Sequence, residues 1–143
     1  MVKIVIDTNV LVSASLRKGY SFRVIDAVAT DVKSFQVCLS EQVLTEYYNL
    51  IFYERISNKY PLFIKNMSVN IQKLERAGTM FFPRRHFKLL KDVSDDKFLD
   101  LSFEAKAEYL VSGNKNDFSI TEFEQTKIIS PKKFCELYDA NAL

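Results

Sequence analysis

The sequence predicts an α/β fold, a three-layer α/β/α sandwich with a parallel sheet of five strands. The chain has 143 residues, of which 48% are apolar, enough for one domain with a substantial core. Short runs of β-branched residues alternate with segments of helical periodicity along the chain. No internal repeat or low-complexity linker interrupts this alternation. We therefore expect a single domain over residues 1–143, with right-handed crossovers between strands.

The first half of the chain contains two predicted strands and three predicted helices. Apolar runs place the strands at 4–6 and 35–39, and helical spacing places helices at 10–16, after a capping Ser21, and after Ser40 and Glu41. Glu46 lies at the margin of the apolar stripe of the third helix. Because an unpaired carboxylate is costly to desolvate there, Glu46 needs a partner.

The second half repeats the alternation. Pro61 introduces an amphipathic helix that ends before Gly78, and the acidic cluster 92–96 begins another helix. Pro131 begins the last helix. Three apolar runs predict the remaining strands, at 79–82, 109–111 and 127–130.

Composition excludes several classes of protein. Cys38 and Cys135 lie in apolar surroundings without metal-ligand spacing, which favours reduced core thiols in a cytoplasmic protein. No apolar run reaches the length of a membrane span, so no membrane partner is expected. The formal charge of +2 does not by itself indicate a nucleic-acid binder.

Acidic and amide side chains occur where predicted strands end or the following helices begin. Asp7 follows the first strand, Asp95 and Asp96 begin a helix, and Asn114 follows the fourth strand. In a parallel sheet these positions, with Glu46, share the carboxyl edge, where ligands bind. Crowded carboxylates repel one another, and oxygen ligands favour Mg²⁺ or Mn²⁺, so the site would suit phosphodiester hydrolysis.

Each acid also has a purely structural interpretation. Asp7, Thr8 or Asn9 could cap the helix that follows the first strand. Asp95 and Asp96 could be first-turn acids favoured by the helix dipole, and Glu46 could form a salt bridge. These structural interpretations would place all of the acids on one edge of the sheet by chance. We therefore favour a shared site.

Four motifs occur in order along the chain. They are Ile-Val-Ile-Asp-Thr-Asn-Val-Leu-Val-Ser-Ala at 4–14, Ser-Glu-Gln-Val-Leu-Thr-Glu at 40–46, Asp-Val-Ser-Asp-Asp-Lys-Phe-Leu at 92–99, and Ala-Glu-Tyr-Leu-Val-Ser-Gly-Asn-Lys at 107–115. Together they resemble PIN-domain proteins, and among these the toxin components of type II toxin-antitoxin systems. The resemblance weakens between residues 53 and 85. It implies a five-stranded parallel α/β/α fold and a metal-dependent ribonuclease.

The resemblance also implies roles for particular residues. Asp7, Glu46 and Asp95 match the metal ligands for Mg²⁺ or Mn²⁺, and Asn114 stands at a fourth catalytic position that is often aspartate. An amide brings no charge, so a second metal site would be weak or absent. The residues expected to support the ligands or to position a water are Thr8, Asn9, Asp96 and either Asn116 or Asp117. Asp96 is rotated about 100° from Asp95 on the helix, which predicts a supporting or solvated side chain.

Partners follow from the same resemblance. RNA is the expected substrate, with its backbone bound by Arg84, Arg85, Lys88 and Lys115. A small antitoxin protein is the expected protein partner, and a homodimer is left open. One alternative is a catalytically silent PIN fold that binds RNA or protein. A receiver-like signalling domain fits less well, because no strand in the middle of the chain ends in a phospho-accepting aspartate.

Overall fold

The computed structural model describes residues 1–52, 58–90, 92, 95–113 and 120–143. Its sheet has the order β3-β2-β1-β4-β6-β5. The strands are β1 (Val2–Ile6), β2 (Phe35–Leu39), β3 (Gly78–Met80), β4 (Tyr109–Val111), β5 (Glu122–Phe123) and β6 (Thr126–Ile129). The five predicted strands all pair in parallel, which confirms the α/β prediction. The sixth strand, β5, adds an antiparallel edge next to β6.

Helices flank this sheet. They are α1 (Thr8–Leu16), α2 (Tyr20–Thr30), α3 (Glu41–Asn49), α4 (Phe63–Ala77), α5 (Asp96–Ala105) and α6 (Pro131–Asp139), with a 3₁₀ turn at Leu50–Phe52 after α3. Helices α1, α2 and α4 pack against one another, and α6 packs against α2. Helix α5 packs on β1, β2 and β4 and contacts α3. No helix in the described ranges combines the length and the apolar character needed to cross a membrane.

Strand β1 lies at the centre of the core. Ile4, Val5 and Ile6 are each 0% exposed. Because successive side chains of a strand point to opposite faces, both faces of the sheet are covered at β1. Cys38 and Cys135 are buried free thiols, as predicted, and burial raises the pKa of Cys38 to about 12.

Serine side chains cap two of the helices. Ser40, which was expected to open the third helix, caps α3, its Oγ accepting from Val43 N at 3.2 Å. Ser130, predicted as the last residue of the fifth strand, instead caps α6, its Oγ accepting from Lys133 N at 3.0 Å. The predicted cap at Ser21 is wrong, because Gly19 takes the position before the helix and Ser21 falls within the first turn. Strand β3 ends earlier than predicted, and α4 begins two residues after Pro61.

The hairpin between β5 and β6 has no recognisable turn sequence. Glu124 has φ 53°, a left-handed conformation that glycine or asparagine adopts more readily. Strand β5 itself has only two residues. A strand this short, with a glutamate at its turn, gives no pattern from which sequence could predict it.

The segment 81–90 has no regular secondary structure and lies along α5. Three acids spaced one helical turn apart accept its backbone amides. Glu104 accepts from Arg84 N at 3.2 Å, Asp100 from Phe87 N at 2.7 Å, and Asp96 from Leu89 N at 3.2 Å and Leu90 N at 3.0 Å. We call Asp96, Asp100 and Glu104 the acid ladder. It supplies acceptors that a neighbouring strand would otherwise provide.

Replacing Asp100 with alanine should detach the middle of this segment. The change leaves the Phe87 amide without its acceptor, so we expect the free energy of unfolding to fall by about 1–2 kcal/mol. Urea denaturation measures the loss, and hydrogen exchange at Phe87 locates it. Asp100→Asn keeps an acceptor oxygen and should lose less. Equal losses for the two variants would show that the bond to Phe87 contributes little.

Candidate metal and nuclease site

Asp7 ends the central strand and is 3% exposed. Its backbone N donates to Val111 O at 2.9 Å, which fixes it beside the end of β4. Its side-chain Oδ2 accepts from Ser112 Oγ at 2.7 Å. Asp7 occupies the position before α1, but its side chain makes no capping hydrogen bond to that helix, all of which is described. The carboxylate is therefore held toward β4, and capping does not account for it.

Glu46 on α3 has a partner for each carboxylate oxygen. Thr8 Oγ1 donates to Oε2, and Lys97 Nζ lies 2.6 Å from Oε1. The side chains of Lys97 and Glu46 are 21% and 23% exposed, so the ion pair is largely withdrawn from solvent. The prediction that Glu46 needs a partner is confirmed, and the salt bridge weighed as an alternative is present. Through Thr8, Glu46 lies on the same edge as Asp7.

Asn9 joins the start of α1 to the turn after β4. Its Oδ1 accepts from Gly113 N at 2.9 Å, and its Nδ2 lies 3.4 Å from Ser112 Oγ. These contacts make Asn9 a brace for the turn that carries Ser112. A role in orienting water or phosphate stays a prediction.

The two acids at the start of α5 differ in burial from what their spacing predicts. Asp95 is partly exposed, whereas Asp96 is buried at 4% exposure, so the expectation of a solvated Asp96 is wrong. The segment 81–90 covers this side of the helix and places two amides on Asp96 Oδ1. The other oxygen, Oδ2, is buried and has no hydrogen-bond partner among the described residues.

Tyr47 lies beneath the acidic edge and is fully buried. Its hydroxyl donates to Ile6 O, the carbonyl that precedes Asp7. Burial, followed by the negative charges of Asp7 and Glu46, raises the pKa of Tyr47 well above 10.0. The phenol therefore remains a neutral donor, and it connects α3 to the end of β1.

Sequence analysis does not single out three residues of this edge. Tyr47 belongs to the apolar stripe of α3, which is typical of core, and Ser112 is one small polar residue after the fourth strand. Lys97 directly follows Asp96, but its contact with Glu46 spans 51 residues. The candidates Asn114, Lys115, Asn116 and Asp117 lie outside the described residues.

One of the predicted RNA contacts, Lys88, lines a groove beside this edge, together with the acids Glu41, Asp96 and Asp100. The groove has a volume of about 700 Å³, and its lining includes His86, Lys88 and Lys97. Arg84 is exposed, while the guanidinium of Arg85 lies over the rings of Phe87 and Phe103 at 4.9 and 5.1 Å. Lys88 of the segment 81–90 and Lys97 of α5 therefore line the same groove.

Comparison with known families identifies the fold. The family model for the PIN domain matches residues 3–116, which include Asp7, Glu46 and Asp95. The chain belongs to the PIN domain family. This PIN domain is also 24% identical to the uncharacterized protein MJ1680 of Methanocaldococcus jannaschii, over 96% of this chain and 92% of that protein. PIN domains are usually nucleases, which supports a hydrolase in general.

Divalent metals are typical of PIN domains, so the donor set can be tested against such an ion. Within the described ranges, no three Asp, Glu, His or Cys side chains are grouped to hold a metal. The donors at the edge are nevertheless carboxylate oxygens, the ligands that Mg²⁺ and Mn²⁺ prefer, and Asp96 keeps one buried oxygen that accepts no hydrogen bond from the residues the structure describes. These oxygen donors fit a hard cation once Glu46 releases one of its two partners, Lys97 or Thr8, and binds the cation in its place.

Replacing Tyr47 with phenylalanine should change the pH dependence of stability. At neutral pH, losing the bond to Ile6 should cost about 1 kcal/mol. Because the pKa of Tyr47 is raised in the folded state, its stabilising contribution is complete below pH about 10 and is lost as the pH rises further. The difference between wild type and variant should therefore stay constant up to pH about 10 and narrow as the pH rises further.

Urea denaturation across this pH range measures the difference. Ile71→Val, a core change without a titrating group, should keep a constant offset from wild type. A constant offset for Tyr47→Phe as well would contradict the raised pKa.

Proposed function

We propose that this PIN domain is an endoribonuclease dependent on Mg²⁺ or Mn²⁺ that hydrolyses RNA phosphodiester bonds. The observation that carries the proposal is the withdrawal of Asp7 from solvent at the end of the central strand, with Glu46 drawn to the same edge by Thr8. Carboxylates are expensive to desolvate, and a structural cap would not need one here. Membership of a family whose members are usually nucleases supports this interpretation.

Asp7, Glu46 and Asp95 would hold the ion through carboxylate oxygens. When bound, the metal would lower the pKa of a coordinated water and offset charge on the reacting phosphate. Ser112 orients Asp7, and Thr8 orients Glu46, so both carboxylates are fixed before any ligand arrives. Asn114 would complete the edge, with Asn9, Asp96 and Asp117 as supporting residues.

The RNA backbone would follow the groove beside the metal edge. Lys88 lines this groove, and Arg84 is exposed on the segment held by the acid ladder. Arg85 and Lys115 complete the proposed cationic contacts. Because phosphates would bind through these cations, affinity should depend on salt.

The resemblance of the motifs to toxin components supports a further proposal, that a small antitoxin protein binds and inhibits the nuclease. A short neighbouring reading frame encoding a DNA-binding protein would support it. A silent PIN fold that binds RNA without cleaving it is the competing function. It is favoured by Lys97, which already neutralises Glu46.

Asp7→Asn should abolish RNA cleavage with little loss of stability. The amide oxygen can still accept from Ser112, but the negative charge needed by a hard cation is gone. A fluorescent RNA cleavage assay measures activity, and EDTA should reproduce the loss in wild type. Asp139→Asn, which removes a charge on α6, should cleave normally. Full activity of purified Asp7→Asn would rule out the proposed metal role.

Arg84→Ala with Lys88→Ala should weaken RNA binding and reduce its salt dependence. If both cations contact phosphates of a single strand, the slope of log affinity against log salt should fall by about 1.4. Binding is measured in the Asp7→Asn background to avoid cleavage. Lys132→Ala with Lys133→Ala on α6 removes the same charge and should leave the slope unchanged. Identical slopes for the two double variants would show that Arg84 and Lys88 do not contact RNA.

A further inference from the structure

Lys97 is placed between the proposed metal edge and the groove. It is the second residue of α5, and its ammonium reaches Glu46 near the end of α3 at 2.6 Å. The same side chain lines the groove that Lys88 borders. Lys97 can therefore interact with a carboxylate on one side and with a ligand in the groove on the other.

Glu46 is fully engaged in this arrangement. Lys97 occupies Oε1, and the Thr8 hydroxyl occupies Oε2. A carboxylate that binds a cation through Oε1 must first release the ammonium, since two positive charges cannot share that oxygen at close range without repulsion. The ion pair therefore opposes metal binding and at the same time stabilises the metal-free edge.

We propose that Lys97 is the resident counter-ion of this site. It neutralises Glu46 in the metal-free protein, competes with the divalent cation for Oε1, and on displacement turns its ammonium into the groove toward an RNA phosphate. The inference rests on the proposed function, because it needs Glu46 to be a metal ligand. It makes metal affinity and RNA binding mutually dependent through one side chain.

A simple helix-to-helix salt bridge is the competing explanation. Such a bridge would also stabilise the contact between α3 and α5, but its removal would not improve metal binding. The two explanations therefore differ in the metal affinity they predict after Lys97 is removed, which rises for a counter-ion and does not rise for a simple salt bridge. Stability alone would not separate them.

The experiment measures Mn²⁺ affinity by isothermal titration calorimetry and the melting temperature in EDTA. Lys97→Met keeps the length of the side chain and removes its charge. We expect it to melt lower than wild type in EDTA and to bind Mn²⁺ roughly three- to tenfold more tightly, which corresponds to at most about 1.4 kcal/mol. Lys97→Arg should stay near wild type in both measurements. Lys132→Met, the charge-matched control on α6, should change neither.

A second set of variants isolates the pair. In a Glu46→Gln background, Lys97→Met should no longer lower the melting temperature in EDTA, because its charged partner is absent. If Lys97→Met does not fold, Lys97→Gln replaces it, since its amide can still donate to Glu46 without a charge. It too should bind Mn²⁺ more tightly than wild type.

The outcomes separate the two proposals. Unchanged or weaker Mn²⁺ binding by the uncharged Lys97 variants, with weaker binding by Glu46→Gln, would overturn the counter-ion role and leave the metal role of Glu46 intact. Unaltered Mn²⁺ binding by Glu46→Gln would overturn the proposed site itself. Wild-type affinity of Lys97→Met for a non-cleavable RNA analogue in saturating Mn²⁺ would show that the displaced ammonium does not reach the phosphate.

Discussion

The constraint that organises this molecule is the desolvation of Asp7, which directly follows the fully buried residues Ile4, Val5 and Ile6 of β1. Strand β1 pairs with β2 on one side and β4 on the other, so Asp7 has little access to water. The surrounding elements supply the missing polar contacts. Ser112, directly after β4, donates to the carboxylate itself, and Tyr47 from α3 donates to the carbonyl before it. The positions of α3 and of the turn after β4 are therefore coupled to one carboxylate.

Two groups of described acids around the proposed site have different tasks. Asp96, Asp100 and Glu104 bind backbone amides and support the segment 81–90. Asp7 and Glu46 instead accept from the hydroxyls of Ser112 and Thr8, which are small and leave the carboxylates at the edge. Both groups contain acids on helices, Glu46 on α3 and the acid ladder on α5, so a position on a helix does not by itself show which task an acid has.

Sequence predicted what depends on local periodicity and on parallel topology. The five parallel strands and the start of α3 at Ser40 follow from such signals, and the edge position of Asp7 follows from the strand that it succeeds. The burial of Asp96 could not be predicted, because the segment that covers it has no periodic pattern. The contact of Lys97 with Glu46 depends on how α3 and α5 meet in three dimensions. The motifs are enough to indicate the family from sequence, whereas the pairing of charges at the site is visible only in the folded structure.

The acid ladder holds its segment almost entirely by main-chain groups. At Arg84, Phe87, Leu89 and Leu90 the donors are backbone N–H groups, which every residue except proline possesses. The bonds of the acid ladder therefore do not depend on most side-chain identities, apart from the additional contact of His86 with Asp100. Packing also holds two side chains of the segment, Phe87 against Phe103 and Phe123, and Leu90 in the core. Substitutions at the exposed positions Arg84, Lys88 and Leu89 would change the chemistry of this surface while its backbone stays anchored.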